Sequence, residues 1–443
     1  MSGTDDRIVR TIACGAGFAG DRTDPAVKLA ESGQVDTIVL ECLAERTLVP
    51  GLRARRRDPG SGADSRIERR LMPILQSPAS SKCRIISNFG AANPVSGAQR
   101  IQRLAKDLGR SGMRIAAAIG DDVRHLADRI AWDGSIEGDL LGAHAYLGTS
   151  GIVEAVENQA DIIVTGRTAD SALFAGDLLP YLDGSEDAFA GAIAVGHLLE
   201  CSGQLTGGNF EAPGLPPLGS SDLANLGYPI ARVFADGTAE ITVIDGSPAL
   251  INRLTCTLQL LYEVHDPSAY ITPDLVVDFS GVSIEEIGPS RVRVSGARAA
   301  GRPARLKVSG FVDRPGAISD VEIAFAGRGA LDRARRAADV LRLRLAHLPE
   351  QDLRIDLVGL NSVLGAASRA INSEPPEVRV HVSAKFDDAG DAQLAEDEVY
   401  ALTLSGPAGG CGVRSEQRPR LEVVNGYIDR ELVKPSVEWS NIP

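Results

Sequence analysis

The sequence lacks the features that mark several large classes of protein. It contains no apolar run approaching the roughly 20 residues of a membrane-spanning helix, so we predict no membrane segment. The first residues, MSGTDDRIVR, do not show the basic-then-apolar pattern of a secretory signal. The six cysteines are scattered with no C-x-x-C pair, which argues against zinc knuckles and disulfide scaffolds and favours reduced thiols. Together these absences predict a cytoplasmic protein.

The sequence also has fewer basic than acidic residues. The chain has 46 Lys and Arg residues against 59 Asp and Glu residues, which gives a formal net charge of −13. Because attraction to phosphate backbones and anionic membranes requires an excess of Lys and Arg, we predict that neither nucleic acid nor a membrane is a partner. A small anionic substrate held by a few local arginines is compatible with this charge. We therefore predict a small-molecule ligand, and we expect a homo-oligomer.

Over its first 210 residues the sequence alternates regularly between two periods. Apolar runs such as DTIVLE, RIAAAIG and ADIIVTG are separated by helical patterns such as PVSGAQRIQRLAKDLG. Continuous apolar runs are typical of strands buried on both faces, and helices between them imply a parallel sheet. We predict an α/β fold for residues 1–215, with a parallel sheet, helices on both of its faces and the active-site residues along one edge.

Two other patterns follow along the chain. Residues 216–318 contain short β-type runs, such as ARVFADGTAEITVI with its D-G turn, which predict a β-rich middle segment packed on the first domain. Residues 319–443 follow the order strand, helix, strand, strand, helix, strand, which predicts a C-terminal ferredoxin-like α+β domain.

Three helix starts are signalled by a capping side chain directly before a proline. The pairs are Asp24-Pro25, Asn93-Pro94 and Asp266-Pro267. Proline is well suited to the first helical position, and Asp or Asn before it can accept a backbone N–H. We therefore predict that a helix begins at each of the three sites.

The run GAGFAGDRTDP resembles a dinucleotide-binding fingerprint. Its glycine triplet, residues 15–20, follows an apolar run, and Glu41 closes the next one. In a dinucleotide turn, however, the helix begins inside the triplet, whereas Pro25 sets a later start here, and Asp21 would repel a pyrophosphate. We therefore predict that neither NAD nor FAD binds. The loop is instead expected to bring Asp21 and Arg22 to the carboxyl edge of the sheet.

Polar residues follow each predicted parallel strand. Because the carboxyl ends of parallel strands meet at one edge of the sheet, their side chains are expected to line one cleft. They are Asp21, Arg22, Glu41, Cys42, Asn88, Asn93, Asp121, Asp122, Arg167 and Asp170. Arg22 and Arg167 are the anion-binding candidates, since guanidinium groups match carboxylate and phosphate geometry. The competing interpretation is that Asn93 and Asp170 only cap helices.

The run GHLLECSGQLTGG contains the sharpest acid–base candidates. On a helix, His197 and Glu200 would stand three residues apart on one face, with Gln204 one turn beyond Glu200. An imidazole beside a carboxylate is a common acid–base arrangement, because the carboxylate orients the ring and supports its charged form. The competing interpretation is an ordinary ion pair on a helix surface.

Other candidates lie in three short runs. YEVHDPSAY supplies Tyr262, Glu263, His265 and Asp266, and His265 is either a second acid–base group or a structural histidine. GAHAYLG supplies His144 and Tyr146. GPAGGCGVR ends in Arg414 and is interpreted either as an anion-binding glycine loop or as a mobile surface turn. Several of these side chains are suitable ligand types, so a divalent metal stays open, although no recognised ligand spacing occurs.

Several longer motifs resemble one family. GAGFAGDR, VLECLAERTL, SNFGAANP, IVTGRTADSALF, GHLLECSGQLTGG, YEVHDPSAYITPD and SGPAGGCGVR occur in the order found in the acyclic terpene utilisation (AtuA) family of bacterial proteins. The resemblance covers almost the whole chain. It implies a role in branched-acid or acyl-CoA catabolism, and it does not define a reaction.

The residues and the resemblance together suggest a hydratase or lyase acting on a small carboxylate or its CoA thioester. In this hypothesis His197 and Glu200 handle the proton, and Arg22 and Arg167 hold the carboxylate. Asn88, with Asn93, would bind a carbonyl or hydroxyl group. Two alternatives remain open: a hydrolase of an amide, ester or lactone, and a non-catalytic acyl-CoA-binding or assembly subunit.

Overall fold

The computed structural model describes residues 7–349, 352–368 and 375–440, so the first six residues of the N-terminal run lie outside it. It is a mixed α/β structure that divides into two compact units. The first comprises the described residues up to Ser135, Leu141–Gly310 and those from Val424 onward, and the second comprises Ile136–Leu140 and Phe311–Val423. No helix in these ranges is long and apolar enough to cross a bilayer.

A large mixed sheet forms the centre of the first unit. Its parallel strands lie in the order β1 (Ile8–Ala16), β2 (Thr37–Leu40), β3 (Arg84–Ser87), β7 (Ile162–Thr165) and β4 (Ile115–Ile119). Antiparallel strands extend it beyond β1 with β8 (Ile230–Phe234), β9 (Ala239–Thr242), β13 (Arg291–Ser295) and β12 (Ser283–Gly288), and beyond β4 with β19 (Ser436–Trp439). Four strands of the middle segment thus continue the same sheet.

The parallel strands are buried on both faces, as the continuous apolar runs predict. Ile12 and Val39 pack with helices on one side, while their neighbours Ala13 and Ile38 pack with helices on the other. The helices of this unit are α1 (Asp24–Ser32), α2 (Glu45–Arg57), α3 (Ile67–Gln76), α4 (Pro94–Asp107), α5 (Ser150–Glu157), α6 (Asp170–Leu178), α7 (Glu186–Leu199), α8 (Ser220–Ala224) and α9 (Arg253–Leu261). The strands outside this sheet that lie at least partly in the first unit include β5 (Ala131–Trp132), β6 (Asp139–Ala145), β10 (Tyr270–Ile271), β11 (Val276–Asp278) and β14 (Arg298–Ala299).

A buried ion cluster ties α6 to the sheet. The fully buried carboxylate of Asp177 accepts hydrogen bonds from Arg10 Nε at 2.9 Å, Arg84 Nη1 at 2.5 Å and Thr37 Oγ1 at 2.7 Å. These three donors come from β1, β3 and β2. The charges compensate one another inside the protein, so the cluster locks the helix that begins at Asp170 against three strands.

In the second unit, helices pack on an antiparallel sheet. The elements that lie wholly or partly in it include β15 (Arg305–Ala326), α10 (Ala330–Arg344), β16 (Leu353–Val358), β17 (Glu377–Phe386), α11 (Ala389–Ser405) and β18 (Cys411–Asp429). The strands lie in the order β16-β17-β15-β18. Burial alternates along β17, and its inward residues pack with Ala337 of α10 and Val399 of α11. Along the chain these elements follow the order strand, helix, strand, strand, helix, strand, which is the order from which the ferredoxin-like domain was predicted.

Two of the three predicted helix starts agree with the structure. The helices α1 and α4 begin at Asp24 and Pro94, and Asn93 caps α4 by accepting Ser96 N at 3.1 Å. The start at Asp266-Pro267 is wrong, because the chain turns there and enters β10. The Asp266 carboxylate accepts the backbone N–H of Ser268, a local turn bond that competes with helix formation.

Candidate functional site

A cavity of about 170 Å³ lies beyond the carboxyl ends of the parallel strands. Its polar wall comes from α6, from the end of α7 and from the segment around β10. The side chains that line it include Tyr146, Asp170, His197, Glu200, Glu263 and Tyr270. This is the edge of an open α/β sheet at which ligands commonly bind.

His197 and Glu200 form a hydrogen-bonded pair in this wall. His197 Nδ1 lies 2.9 Å from Glu200 Oε1, and the two residues are only 1% and 7% exposed. The surface-pair interpretation is therefore wrong. His197 Nε2 lies 3.2 Å from the carbonyl oxygen of Leu260, which can only accept, so Nε2 carries a hydrogen. The remaining proton of the pair is shared between Nδ1 and the Glu200 carboxyl.

Burial and mutual proximity shift the pKa values of both His197 and Glu200. Burial by itself lowers the pKa of His197, but the Glu200 carboxylate and its hydrogen bond raise it, and the net shift is upward. Burial raises the pKa of Glu200, and the attraction of His197 only partly opposes this. The ring is held between Tyr270 and Phe279, whose centroids lie 4.8 and 5.8 Å away. Both shifts favour retention of a proton by the pair, and the flanking rings fix the orientation of the imidazole.

Asp170 presents a second carboxyl group to the cavity. It is the first residue of α6, and Ala169 occupies the N-cap position, so the helix-cap interpretation does not account for Asp170. The residue is partly exposed, but its Oδ1 atom is out of contact with solvent. Burial, together with the charges of Glu41 and Glu200, raises the pKa of Asp170 well above its ordinary value. Both effects favour the neutral, protonated form of the Asp170 carboxyl group.

Two carboxyl oxygens at this cavity are buried without hydrogen-bond partners. Among the residues that the structure describes, they are Asp170 Oδ1 and Glu200 Oε2. Leaving a buried polar atom unpaired costs roughly 1–3 kcal/mol. Unpaired groups in a native structure require an explanation, and two of them lining one cavity point to a ligand that pairs with them.

A third carboxyl group, that of Glu41, lies behind the cavity wall. Its Oε1 accepts Asn88 Nδ2 at 2.9 Å and Leu43 N at 2.7 Å. Burial raises the pKa of Glu41 to about 7, against the lowering effect of these two bonds and of Arg167. Asn88 Oδ1 accepts Cys42 N at 2.7 Å, so both ends of the amide are engaged within the protein. Asn88 therefore positions Glu41.

The glycine triplet serves close packing at the back of the site. A Cβ on Gly17 would lie 2.7 Å from the backbone oxygen of Glu200. Asp21 accepts Gly17 N at 2.9 Å and Ser202 Oγ at 2.8 Å, and it also accepts the Tyr228 hydroxyl. The loop is thereby fastened to the segment that follows α7, which is a use for glycine without a pyrophosphate.

The two arginines predicted to hold an anion are engaged elsewhere. Arg167 donates to the carbonyl of Leu43 at 2.7 Å and to Glu45 at 2.8 Å, and it stacks on Tyr146 with its guanidinium carbon 4.8 Å from the ring centroid. Arg22 donates to the backbone carbonyls of residues 223 and 224. Neither arginine lines the cavity.

Other predicted residues occupy separate places. Asn93 caps α4, and Tyr262 and His265 are exposed on the segment after α9. Gln204 reaches the site indirectly, because it donates to Gln259, which in turn donates to the carbonyl of His197. Arg414 lies in the second unit, 3.8 Å from Glu322.

Sequence reasoning named Glu263 among the candidates of the run YEVHDPSAY but missed Tyr270 as a residue of the cavity. Tyr270 follows the incorrectly predicted helix start, so no strand was expected there. Glu263 has a positive φ of 60°, a conformation that is uncommon for a residue other than glycine, and it lies at the cavity. Its neighbours in sequence carry no signal for this conformation.

Within the described ranges, no group of three or more His, Cys, Asp or Glu side chains is arranged to hold a metal ion. The carboxyl groups of the cavity approach one another closely enough to shift their pKa values, but they do not form a ligand set.

Comparison with known proteins identifies one family. The family model described as acyclic terpene utilisation family protein AtuA matches residues 10–439. Neither a curated protein nor a solved structure matches the chain.

Proposed function

This chain belongs to the acyclic terpene utilisation (AtuA) family, and on that premise we propose that it is an acid–base enzyme, a hydratase or lyase, acting on a small acyl group carried as a CoA thioester. The observation that carries the proposal is the pair of unpaired carboxyl oxygens, Asp170 Oδ1 and Glu200 Oε2, at one cavity. Burial and neighbouring charges favour the neutral form of Asp170, which can donate a proton. Glu200 shares a proton with a histidine and can accept one.

Glu200 is the group proposed to touch the substrate, and His197 is a positioning residue. Both ring nitrogens of His197 are already hydrogen-bonded, one to Glu200 and one to a backbone carbonyl. Only Glu200 Oε2 is left to meet a ligand. This reverses the division of roles expected from the sequence, in which the imidazole transferred the proton.

The proposed reaction moves one proton on to the enzyme and one off it. In the direction of dehydration, the Glu200 carboxylate takes the proton from the carbon next to the thioester carbonyl, while His197 stays protonated beside it. The electron pair of that C–H bond forms the new double bond. The bond to the departing hydroxyl breaks as Asp170 donates its proton, and water leaves. Hydration is the reverse sequence.

The charge of the cavity favours a thioester over a free carboxylate. Among the described residues, no Lys or Arg side chain lines the cavity. Three acidic residues, Asp170, Glu200 and Glu263, do line it. A carboxylate ion placed there would meet like charges in a poorly solvated space. A thioester carbonyl or a hydroxyl group is uncharged and can accept from Asp170. The reacting part of the ligand is therefore proposed to be neutral.

Turnover assays with the purified protein test the proposal. Short-chain 3-hydroxyacyl and 2-enoyl thioesters of CoA would be supplied, and formation or loss of the enoyl thioester followed by absorbance and mass. We expect turnover by the wild type and a fall of about 10²- to 10⁴-fold for Glu200→Gln and Asp170→Asn. The exposed Asp245→Asn variant is a matched control and should retain full activity.

Two other outcomes would contradict the proposal. Release of the free thiol without addition or loss of water would identify a hydrolase. Thioester binding without turnover, unchanged by Glu200→Gln, would identify a non-catalytic acyl-CoA-binding subunit.

A further inference from the structure

A second cavity of about 260 Å³ lies in the first unit and has the opposite electrostatic character. Three arginines line it: Arg55 and Arg56 from the last turn of α2, and Arg124 from the short 3-10 helix that begins at that residue. Asp122 is the carboxylate among its lining residues. In a chain whose net charge is −13, three guanidinium groups around one cavity are a marked local excess of positive charge.

Arg55 is held in place and keeps donors available. Its Nη1 donates to the carbonyl of Ala92 at 2.6 Å and to Asp122 Oδ2 at 3.0 Å. A guanidinium group has five N–H donors, so these two bonds leave those of Nε and Nη2 for a ligand. The ion pair thus fixes the orientation of the guanidinium plane at the cavity.

A buried histidine forms another part of the wall. His144 is 2% exposed, and its Nδ1 lies 2.8 Å from Asp121 Oδ2. A Cβ on Gly142 would lie 3.4 Å from His144 Nε2, so the absence of a side chain at position 142 keeps space beside that nitrogen. Gly142 and His144 both line the cavity. An oriented imidazole and three guanidinium groups therefore surround the same space.

We propose that this cavity binds a phosphate or diphosphate group. Guanidinium forks match the geometry of phosphate oxygens and form charge-assisted hydrogen bonds with them. Three of the lining residues are arginines, and His144 adds a polar group at a position set by Asp121. The arginines come from two separate elements, so stabilisation of the carboxyl end of α2 does not by itself explain Arg124.

The two cavities are joined by a short chain of contacts. Asp121 Oδ2, which binds His144, also accepts the backbone N–H of Arg167 at 2.9 Å. Arg167 stacks on Tyr146, which lines the acidic cavity. A ligand that has a neutral reacting group and a phosphate or diphosphate group would use both cavities. This connection between the two cavities rests on the proposed function. Phosphate binding itself does not depend on that function.

Calorimetric titration tests the inference without requiring turnover. The full chain would be titrated with inorganic pyrophosphate, with CoA and with pantetheine, which has the thiol end but no phosphate. We expect binding of pyrophosphate, CoA or both, and none of pantetheine at the same concentrations. Arg56→Gln and Arg124→Gln should each weaken binding by about ten-fold or more, because each removes a charge-assisted hydrogen bond.

Arg57→Gln is the matched control, since it removes the same charge from the same helix outside the cavity lining. Binding that Arg57→Gln weakens as much as Arg56→Gln does would overturn the inference, because general surface charge would then explain it. Absence of binding by both pyrophosphate and CoA would also overturn it. Tighter binding of CoA than of pyrophosphate supports the site as a thioester handle, and the reverse supports a free phosphate ligand. Asp170→Asn should leave pyrophosphate binding unchanged, which separates this inference from the catalytic proposal.

Discussion

Replacing Asp170 by Asn should change the pH dependence of stability in a defined direction. Burial and the neighbouring carboxyl groups raise the pKa of Asp170 well above its ordinary value in the folded protein. In the unfolded chain the same group ionises at about pH 4. Between these two values the unfolded state has released the proton and the folded state has kept it. The contribution of Asp170 to stability must therefore fall as pH rises through this window.

The size of the effect follows from proton linkage. One proton retained by the folded state and released by the unfolded state changes the free energy of unfolding by about 1.4 kcal/mol per pH unit. Asn is uncharged at every pH and close in shape to the neutral acid, so Asp170→Asn removes this contribution. The free energy of unfolding of the variant, relative to that of the wild type, should therefore increase by about 1.4 kcal/mol per pH unit from about pH 4.5 up to the raised pKa of Asp170. Beyond that value the difference should be constant.

Urea unfolding at pH 4.5, 5.5 and 6.5 measures this difference directly. The exposed Asp245→Asn variant should show no such trend relative to the wild type. A difference between Asp170→Asn and wild type that does not change with pH would show that Asp170 ionises normally in the folded protein. It could not then serve as the neutral acid of the proposed reaction.

Four further outcomes are expected from the same structure. Glu200→Gln should lower kcat by about 10²-fold or more, whereas His197→Gln should lower kcat less and shift the pH–rate profile, as steady-state kinetics can show. Asp177→Ala should lower the free energy of unfolding by about 3–5 kcal/mol in urea titrations, because it leaves two largely buried arginines uncompensated. Gly17→Ala should lower stability by about 1–3 kcal/mol and also reduce turnover, since its Cβ would meet the backbone of Glu200. Glu41→Gln should remove an ionisation near pH 7 from the pH–rate profile, because burial raises the pKa of Glu41 to about 7.

Local sequence patterns predicted the centre of the fold well. The runs DTIVLE, RIAAAIG and ADIIVTG became β2, β4 and β7, because continuous apolar segments between helices are stable only when both faces of the sheet are covered. The pairing of His197 with Glu200 also followed from their spacing, since residues three apart on a helix lie on one face. In these cases one element, or one repeated unit, contains all the relevant information.

Predictions failed where a local signal competed with longer-range contacts. The dipeptide Asp266-Pro267 carries a strong helix-start signal, yet the chain turns and the carbonyl of Pro267 accepts the backbone N–H of Phe279. Arg22 and Arg167 were expected to hold an anion, but backbone carbonyls from other segments engage them. A guanidinium group binds whichever oxygens the fold brings to it, and the sequence does not show which these are.

The sequence by itself determined the alternating strands and helices, the start of α1 after the glycine loop, and the i, i+3 spacing of His197 and Glu200. Only the tertiary structure decided that Asp170 meets this pair, that all three are enclosed, and that the arginines of α2 meet Arg124 around a separate cavity. The physical reason is that desolvation and charge proximity set the protonation of carboxyl groups. Both depend on contacts between residues far apart in the chain, whereas periodicity and capping depend only on neighbours.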